Sequence, residues 1–358
     1  MKRGFTSCLV VAALFCVGSL LFAQGFQAPE RAKAYATARE IPYQSVPNFL
    51  KLPTGVYIGE GIGVATNSKG HVFVYHRSSP TKLYHFDQNG NFIKEIGKGL
   101  YGFAFAHAVR VDKEDNIWAV DEGTDTVIKF NPDGTRVLMV LGRRPESHGL
   151  LPTEAPGTPA PQAPYPQHRF GRPTDVAWDA AGNIFLSDGY IHSRVAKYDK
   201  NGVFVKDVGT RGALPNQLNT PHGIAVDANG NVYAADRGNR RIQVFSNDLT
   251  LRAIYDNVGA PWSVCITPGP HQYLYSSNSN PDNNNSVLAA VSGEIYKMEL
   301  DGTVVGRFGK AGKQLGEFQT VHAIDCRNEN ELYVAEITGW RVQKLLLKPQ
   351  TPQTASAR

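Results

Sequence analysis

A sixteen-residue pattern that returns along the chain constrains the fold more than any other feature. Pro221-His-Gly-Ile-Ala-Val-Asp-Ala-Asn-Gly-Asn-Val-Tyr-Ala-Ala-Asp236 lines up with Pro173-Thr-Asp-Val-Ala-Trp-Asp-Ala-Ala-Gly-Asn-Ile-Phe-Leu-Ser-Asp188. Each copy reads as an alternating strand, a polar turn with Gly-Asn, and a second alternating strand that ends on an acid. That is the period-two pattern of an antiparallel hairpin. The pattern recurs from Ala106 to Asp121 and from Val321 to Glu336, and weaker copies begin near Glu60 and at Pro261.

After the acid comes a third short strand, such as Arg194-Val-Ala-Lys-Tyr198 or Arg241-Ile-Gln-Val-Phe245. A turn rich in Asn, Asp and Gly follows (Asp87-Gln-Asn-Gly90, Asn131-Pro-Asp-Gly134, Asp199-Lys-Asn-Gly202), and a fourth strand ends at Gly97, Gly142, Gly209 or Gly309. A four-stranded unit cannot bury its faces alone and stacks on its neighbours. Six such units predict an all-β chain, a six-bladed β-propeller spanning residues 46–347 as one domain. The last unit stops after Leu347 without a fourth strand. The segment around Phe49–Leu52 is expected to supply it, so that an N-terminal strand closes the last blade and removes an open sheet edge. Residues 24–45 and 348–358 read as tails. The Pro-rich stretch 143–172 is too long for a turn and reads as a surface loop between blades 2 and 3, placed to overhang one face.

Composition adds the cellular context. Residues 1–23 read as a signal peptide, with basic Lys2 and Arg3, an apolar run from Cys8 to Phe22, and Ala23 as the cleavage point. The run is shorter than the about 20 residues of a bilayer span, so the mature chain is expected to be secreted or periplasmic, with no membrane span. Of the four cysteines, only Cys265 and Cys326 remain beyond that segment. They fall at non-equivalent positions of two repeats and are expected to be free, buried thiols. Without Lys2 and Arg3 the chain carries 35 basic and 32 acidic residues, a balance that argues against a nucleic-acid partner.

The repeats also put chemistry in register. The position of His222 in the first strand of its unit is held by His107 in blade 2, Thr174 in blade 3, Trp262 in blade 5 and His322 in blade 6. In blades 2, 3, 4 and 6 the acid lies fourteen residues later, at Asp121, Asp188, Asp236 and Glu336. A lone histidine at a strand end is ordinarily a surface or loop-bonded residue. Histidine at one register position in alternate blades of a six-fold ring instead points three imidazoles at one level of the central channel. Three histidines with an open fourth position suit a catalytic Zn2+. In an antiparallel hairpin the second strand returns to the face where the first began. Residues just past the acid therefore sit near the metal: Arg77 in blade 1, Arg237 in blade 4 and Tyr190 in blade 3. Pairing with neighbouring acids is the competing reading for the arginines, and a rim aromatic is the competing one for Tyr190. Arg194, Arg241 and Arg341 open third strands and are read as structural partners of Asp188, Asp236 and Glu336.

These residues resemble the lyase domain of the peptidyl-α-hydroxyglycine α-amidating lyase (peptidylamidoglycolate lyase) family, an NHL-repeat propeller. The likeness runs from about Gly55 to Leu345. It is carried by Gly55-Val-Tyr57, Val74-Tyr-His-Arg77, Pro173-Thr-Asp-Val-Ala177, Ser187-Asp-Gly-Tyr190 with Ser193-Arg194, Pro221-His222, Ala235-Asp-Arg237 with Arg241-Ile-Gln243, and Ser292-Gly-Glu-Ile295. The resemblance implies zinc ligands at His107, His222 and His322, a catalytic tyrosine at Tyr190 and active-site arginines at Arg77 and Arg237. Thr320 stands where the family has an active-site methionine and is taken to line the substrate site, and Val321 replaces the proline after it. Ala323 replaces an acid that helps hold the family's structural Ca2+, so a calcium site does not carry over intact. Gly171 and Ile191 replace the family's disulfide cysteines near the tyrosine.

The activity implied is zinc-dependent cleavage of an α-hydroxyglycine-type carbinolamide to an amide and glyoxylate. The substrate is a small molecule or peptide, and the enzyme is expected to be a monomer. An arginine would hold the substrate carboxylate, and Tyr190, its pKa lowered by Arg77 and the metal, would act as general base. Two other classes remain open on this scaffold: a non-catalytic secreted propeller that binds a ligand or protein, and a zinc hydrolase.

Overall fold

The computed structural model describes residues 38–78, 80–147, 163–279 and 292–348. The signal segment, the middle of the Pro-rich stretch and the C-terminal tail lie outside the described residues. Six four-stranded antiparallel sheets follow one another along the chain. Their innermost strands are Glu60–Thr66, Ala106–Val111, Pro173–Trp178, Pro221–Val226, Val264–Ile266 and Val321–Asn328.

Two local devices recur among the sheets, the first in blades 2, 3 and 4 and the second in blades 2, 3, 4 and 6. The first hairpin turns on an aspartate whose carboxylate collects backbone amides. Asp227 accepts from the N–H of Asn229 at 2.9 Å and of Asn231 at 2.8 Å, and Gly230 takes the left-handed φ of +81°. The acid at the end of the second strand anchors the blade to the chain arriving from the one before. Asp188 accepts from Gly171 N–H at 2.7 Å and from Arg194 Nε at 3.0 Å, and Asp236 and Glu336 repeat this with Arg241 and Arg341, each at 2.7 Å. The structural pairing expected for these arginines is what the sheets contain.

Apolar side chains fill the wedges between blades. Phe73 packs with Ile117, Trp118 with Leu186, Phe185 with Phe245, Tyr233 with Tyr296, Tyr275 with Leu345, and Tyr333 with Val74. The last of these joins blade 6 to blade 1, so the buried clusters run right round the ring. Along the channel the inner strands come very close. A Cβ on Gly223 would stand 2.8 Å from Val264 N, and one on Gly63 would stand 2.6 Å from Val109 N. Only glycine allows that approach.

Two expectations are corrected. The fourth strand of the last sheet is Tyr43–Val46, antiparallel to Arg341–Leu347, and not the segment around Phe49–Leu52. That segment crosses to blade 1, where Lys51 bridges Asn91, while Phe49 packs on Tyr333. Part of the expected 24–45 tail is therefore in a sheet. Cys265 and Cys326 are not free thiols but form a disulfide, with Cα atoms 6.0 Å apart. The contacts of Gly63 and Gly223 show why: each inner strand meets the next one residue out of step. Cys265, three places after Trp262, therefore faces Cys326, four places after His322.

Beneath the histidines Arg110 fills the channel. Its guanidinium holds Asp175 at 2.5 and 2.9 Å and donates to the carbonyls of Ile324 at 3.1 Å and Val264 at 3.4 Å. One partly buried cation thus ties together strands of blades 2, 3, 5 and 6.

Candidate metal centre

His107, His222 and His322 converge as the register predicts, and the backbone explains how. Strand pairing along five of the inner strands breaks at a β-bulge at this position, seen at Ile62, His107, Thr174, His222 and His322. A bulge turns its side chain away from the pleat, here toward the axis. The imidazole centroids lie 4.6, 4.8 and 4.7 Å apart.

Each ring is locked by the next blade. The Nδ1 of His107 meets the Thr174 carbonyl at 2.5 Å, that of His222 meets Trp262 at 2.6 Å, and that of His322 meets Ile62 at 2.7 Å. A carbonyl only accepts, so each Nδ1 carries the proton and each Nε2 presents a lone pair. Burial holds all three imidazoles well below the ordinary histidine range, with further help from His322 and Arg77 for His107, His107 and Arg237 for His222, and Arg77 for His322. They are neutral, as metal ligands must be. One ring nitrogen of each lies within 4.8 Å of the others, and they are the group among the described residues with metal-holding geometry. Two nitrogens on one tetrahedral zinc stand roughly 3.4 Å apart, a difference that small ring rotations cover. The Nε2 of His322 is buried without a partner, as expected of an atom kept for a ligand. The donor set fits zinc.

Tyr190 reaches the same point. Its hydroxyl lies 3.3 Å from His107 Nε2 and 3.5 Å from His222 Nε2. Gly189 makes this possible, because a Cβ there would stand 1.9 Å from the Pro221 carbonyl. The lowered tyrosine pKa expected from sequence is not what the protein's own groups give. Burial raises it above the ordinary value, and Arg237 and Arg77 oppose that while Glu122 adds to it.

The two arginines differ. Arg237 stacks on Trp262, 4.1 Å from the ring centroid, and lies 5.4 Å from the Tyr190 ring. Its Nη1 is buried without a partner. Arg77 donates from Nε to the Ala106 carbonyl at 2.7 Å and from Nη2 to Glu122 at 2.9 Å, with Phe105 against its face at 3.6 Å. Thr320 is buried, but its hydroxyl accepts from Thr338 at 3.1 Å and does not meet the histidines, Tyr190 or either arginine.

Sequence reasoning missed Glu122 and Arg172. Glu122 is 3 % exposed, lies 3.8 Å from His107 Nε2, and pairs with both Arg77 and Arg172. Burial pushes its carboxyl up and the two guanidiniums pull it back. It immediately follows Asp121, so the rule that found Arg77 and Arg237 also reaches Glu122. Arg172 carries no such signal, since it ends the Pro-rich stretch outside any repeat.

The fold and this centre define an NHL-type six-bladed β-propeller with three inward-facing histidines, and the NHL repeat family matches residues 218–245. Among curated proteins, the Caenorhabditis elegans protein named "Probable peptidyl-alpha-hydroxyglycine alpha-amidating lyase pgal-1" is 28% identical over 81% of this chain and 83% of its own length. The Mus musculus NHL repeat-containing protein 3 is 25% identical over 96% and 93%. Against the Xenopus laevis peptidyl-glycine alpha-amidating monooxygenase A the chain spans only 34% of the relative's length, at 25% identity over 87% of its own. Virginiamycin B lyase from Staphylococcus aureus shares the fold, with a TM-score of 0.53 at 12% identity over 86% of this chain and 100% of that one.

Proposed function

We propose that the chain is a zinc-dependent lyase that cleaves an α-hydroxyglycine-type carbinolamide to an amide and glyoxylate. The observation that carries this is the meeting of three locked, neutral imidazoles with the Tyr190 hydroxyl at 3.3 and 3.5 Å. The named similarity to alpha-amidating lyases supports it.

His107, His222 and His322 would hold the ion, which supplies a Lewis acid toward the substrate's oxygens. The remaining work falls to the chain's own groups. An arginine takes the substrate carboxylate by charge-assisted hydrogen bonds. Tyr190 stands where it can accept the hydroxyl proton as the carbonyl of glyoxylate forms. The C–N bond then breaks with its electron pair on nitrogen, and that nitrogen regains a proton to give the amide. Arg237 and Arg77 offset part of the burial that raises the Tyr190 phenol. A leader at residues 1–23 would deliver the enzyme to the periplasm or medium, where it works as a monomer.

Incubation of the mature chain with α-hydroxyhippurate tests the reading. Glyoxylate and benzamide in equal amounts are expected, and release stops on chelation. Benzoate would mark a zinc hydrolase instead. A second reading, a binding propeller without chemistry, draws on the full-length similarity to a relative whose name carries no activity. A chain that releases neither product with zinc bound would favour it.

A further inference from the structure

The two active-site arginines have different surroundings, and the cause is Glu122. Its carboxylate is buried, with each oxygen taken by a different guanidinium: Oε2 by Arg77 at 2.9 Å and Oε1 by Arg172. Arg77 is then held through Nε and Nη2. Nε is on the Ala106 carbonyl, Nη2 is on Glu122, Nη1 is 3.8 Å from Glu60, and one face lies on Phe105. A guanidinium binds a carboxylate best through two parallel N–H groups, and Arg77 offers no such edge without giving up a buried ion pair.

Arg237 is the opposite case. Its plane rests on Trp262 and its Nη1 is buried with nothing to donate to. A buried charged donor left unpaired is costly, and an incoming acceptor removes that cost. The unpartnered Nε2 of His322 is the other buried polar atom of this site without a partner. A ligand that answers both carries oxygens for the metal position and a carboxylate for Arg237.

We propose that Glu122 is a positioning residue that withdraws Arg77 and Arg172 from substrate binding, leaving Arg237 as the arginine that receives the substrate carboxylate. This rests on the lyase reading of the site. It makes the site selective for a substrate with a single carboxylate beside the scissile carbon, because one guanidinium edge is available for it.

Equilibrium binding of hippurate and of its neutral amide, hippuramide, tests this at low ionic strength, where charge effects are least screened. Both lack the hydroxyl and are not cleaved, so binding is read apart from turnover. Wild-type protein is expected to prefer hippurate by about tenfold or more. Arg237→Gln should abolish the preference, and Arg77→Gln should keep it within about threefold of wild type. Glu122→Gln frees Arg77 and should tighten hippurate by about threefold or more with hippuramide unchanged, and Glu122→Asp should restore the wild-type value. Loss of the preference in Arg77→Gln but not in Arg237→Gln would overturn the proposal. So would weaker hippurate binding in Glu122→Gln, or a wild type that does not discriminate. If Glu122→Gln does not fold, the two arginine variants still decide. The lyase reading fails by a different result, the absence of glyoxylate from α-hydroxyhippurate.

Discussion

Tyr190 is the residue on which the proposed chemistry turns, through its hydroxyl. Tyr190→Phe keeps the ring that Arg237 and Arg172 lie against and removes the group facing His107 and His222. Zinc content should stay at the wild-type level while glyoxylate release falls by about 10²–10⁴. A loss below tenfold would show that the phenol is a rim aromatic. At this scale the sequence was legible wherever repeat register applied. His107, His222 and His322 share one position, and Arg77, Arg237 and Glu122 each follow the end of a second strand. It was silent where register ends: Arg172 sits in the loop before blade 3, and the pairing of Arg77 depends on a side chain of another blade.

The elements explain why register is so faithful here. The inner strands of blades 1, 2, 3, 4 and 6 carry a bulge at the same place, so residues of one repeat position leave the pleat together. No sequence pattern announced those bulges, because a period-two alternation looks the same with one residue set aside. In blades 2, 3, 4 and 6 an acid at the end of the second strand keeps the bulged end in place. Arg194 and Asp188 are both fully buried, with a 3.0 Å contact between them. Arg194→Met would strip that carboxylate of its guanidinium and leave it to His192 and Gly171, a loss of about 3 kcal/mol that denaturant titration would read. A change below about 1 kcal/mol would place the support of Asp188 on His192 and Gly171 instead. The closing strand and the disulfide were misread for a common reason. Both depend on how the two ends of the ring, or two adjacent inner strands, are offset in space, and a comparison of repeats assigns equivalence, not offset.

At the scale of the whole molecule, the propeller is a ring of apolar wedges around a polar axis, and blade 1 adds buried imidazoles to those wedges. Burial holds His76 down to about 4, with Lys82 adding to the effect, and holds His85 down to about 4, with His71 and Lys94 adding. The unfolded chain takes up protons near the ordinary histidine value of 6.5 that the folded chain refuses until about 4. Stability from these two residues is therefore complete above pH 6.5 and is lost as pH falls toward 4. Burial raises Asp125 to about 7, which works the other way in the same window, so the histidine contribution is read as a difference between proteins. The zinc-free wild type should lose more melting temperature from pH 7 to pH 4.5 than a His76→Gln, His85→Gln double variant does. An equal loss in the two proteins would contradict this assignment. Fold class and blade number were legible in the sequence because six copies of one pattern admit few arrangements. The charge balance of the site was not, because it is set between blades.

The measurement that bears most directly on the whole account is zinc binding to chelator-stripped protein by calorimetric titration, for wild type beside His222→Ala. One ion per chain is expected in the wild type. The variant, left with two imidazoles, should bind at least about a hundredfold more weakly. A wild type that takes up no zinc, or a variant that binds as the wild type does, would contradict the claim that the three histidines share one ion.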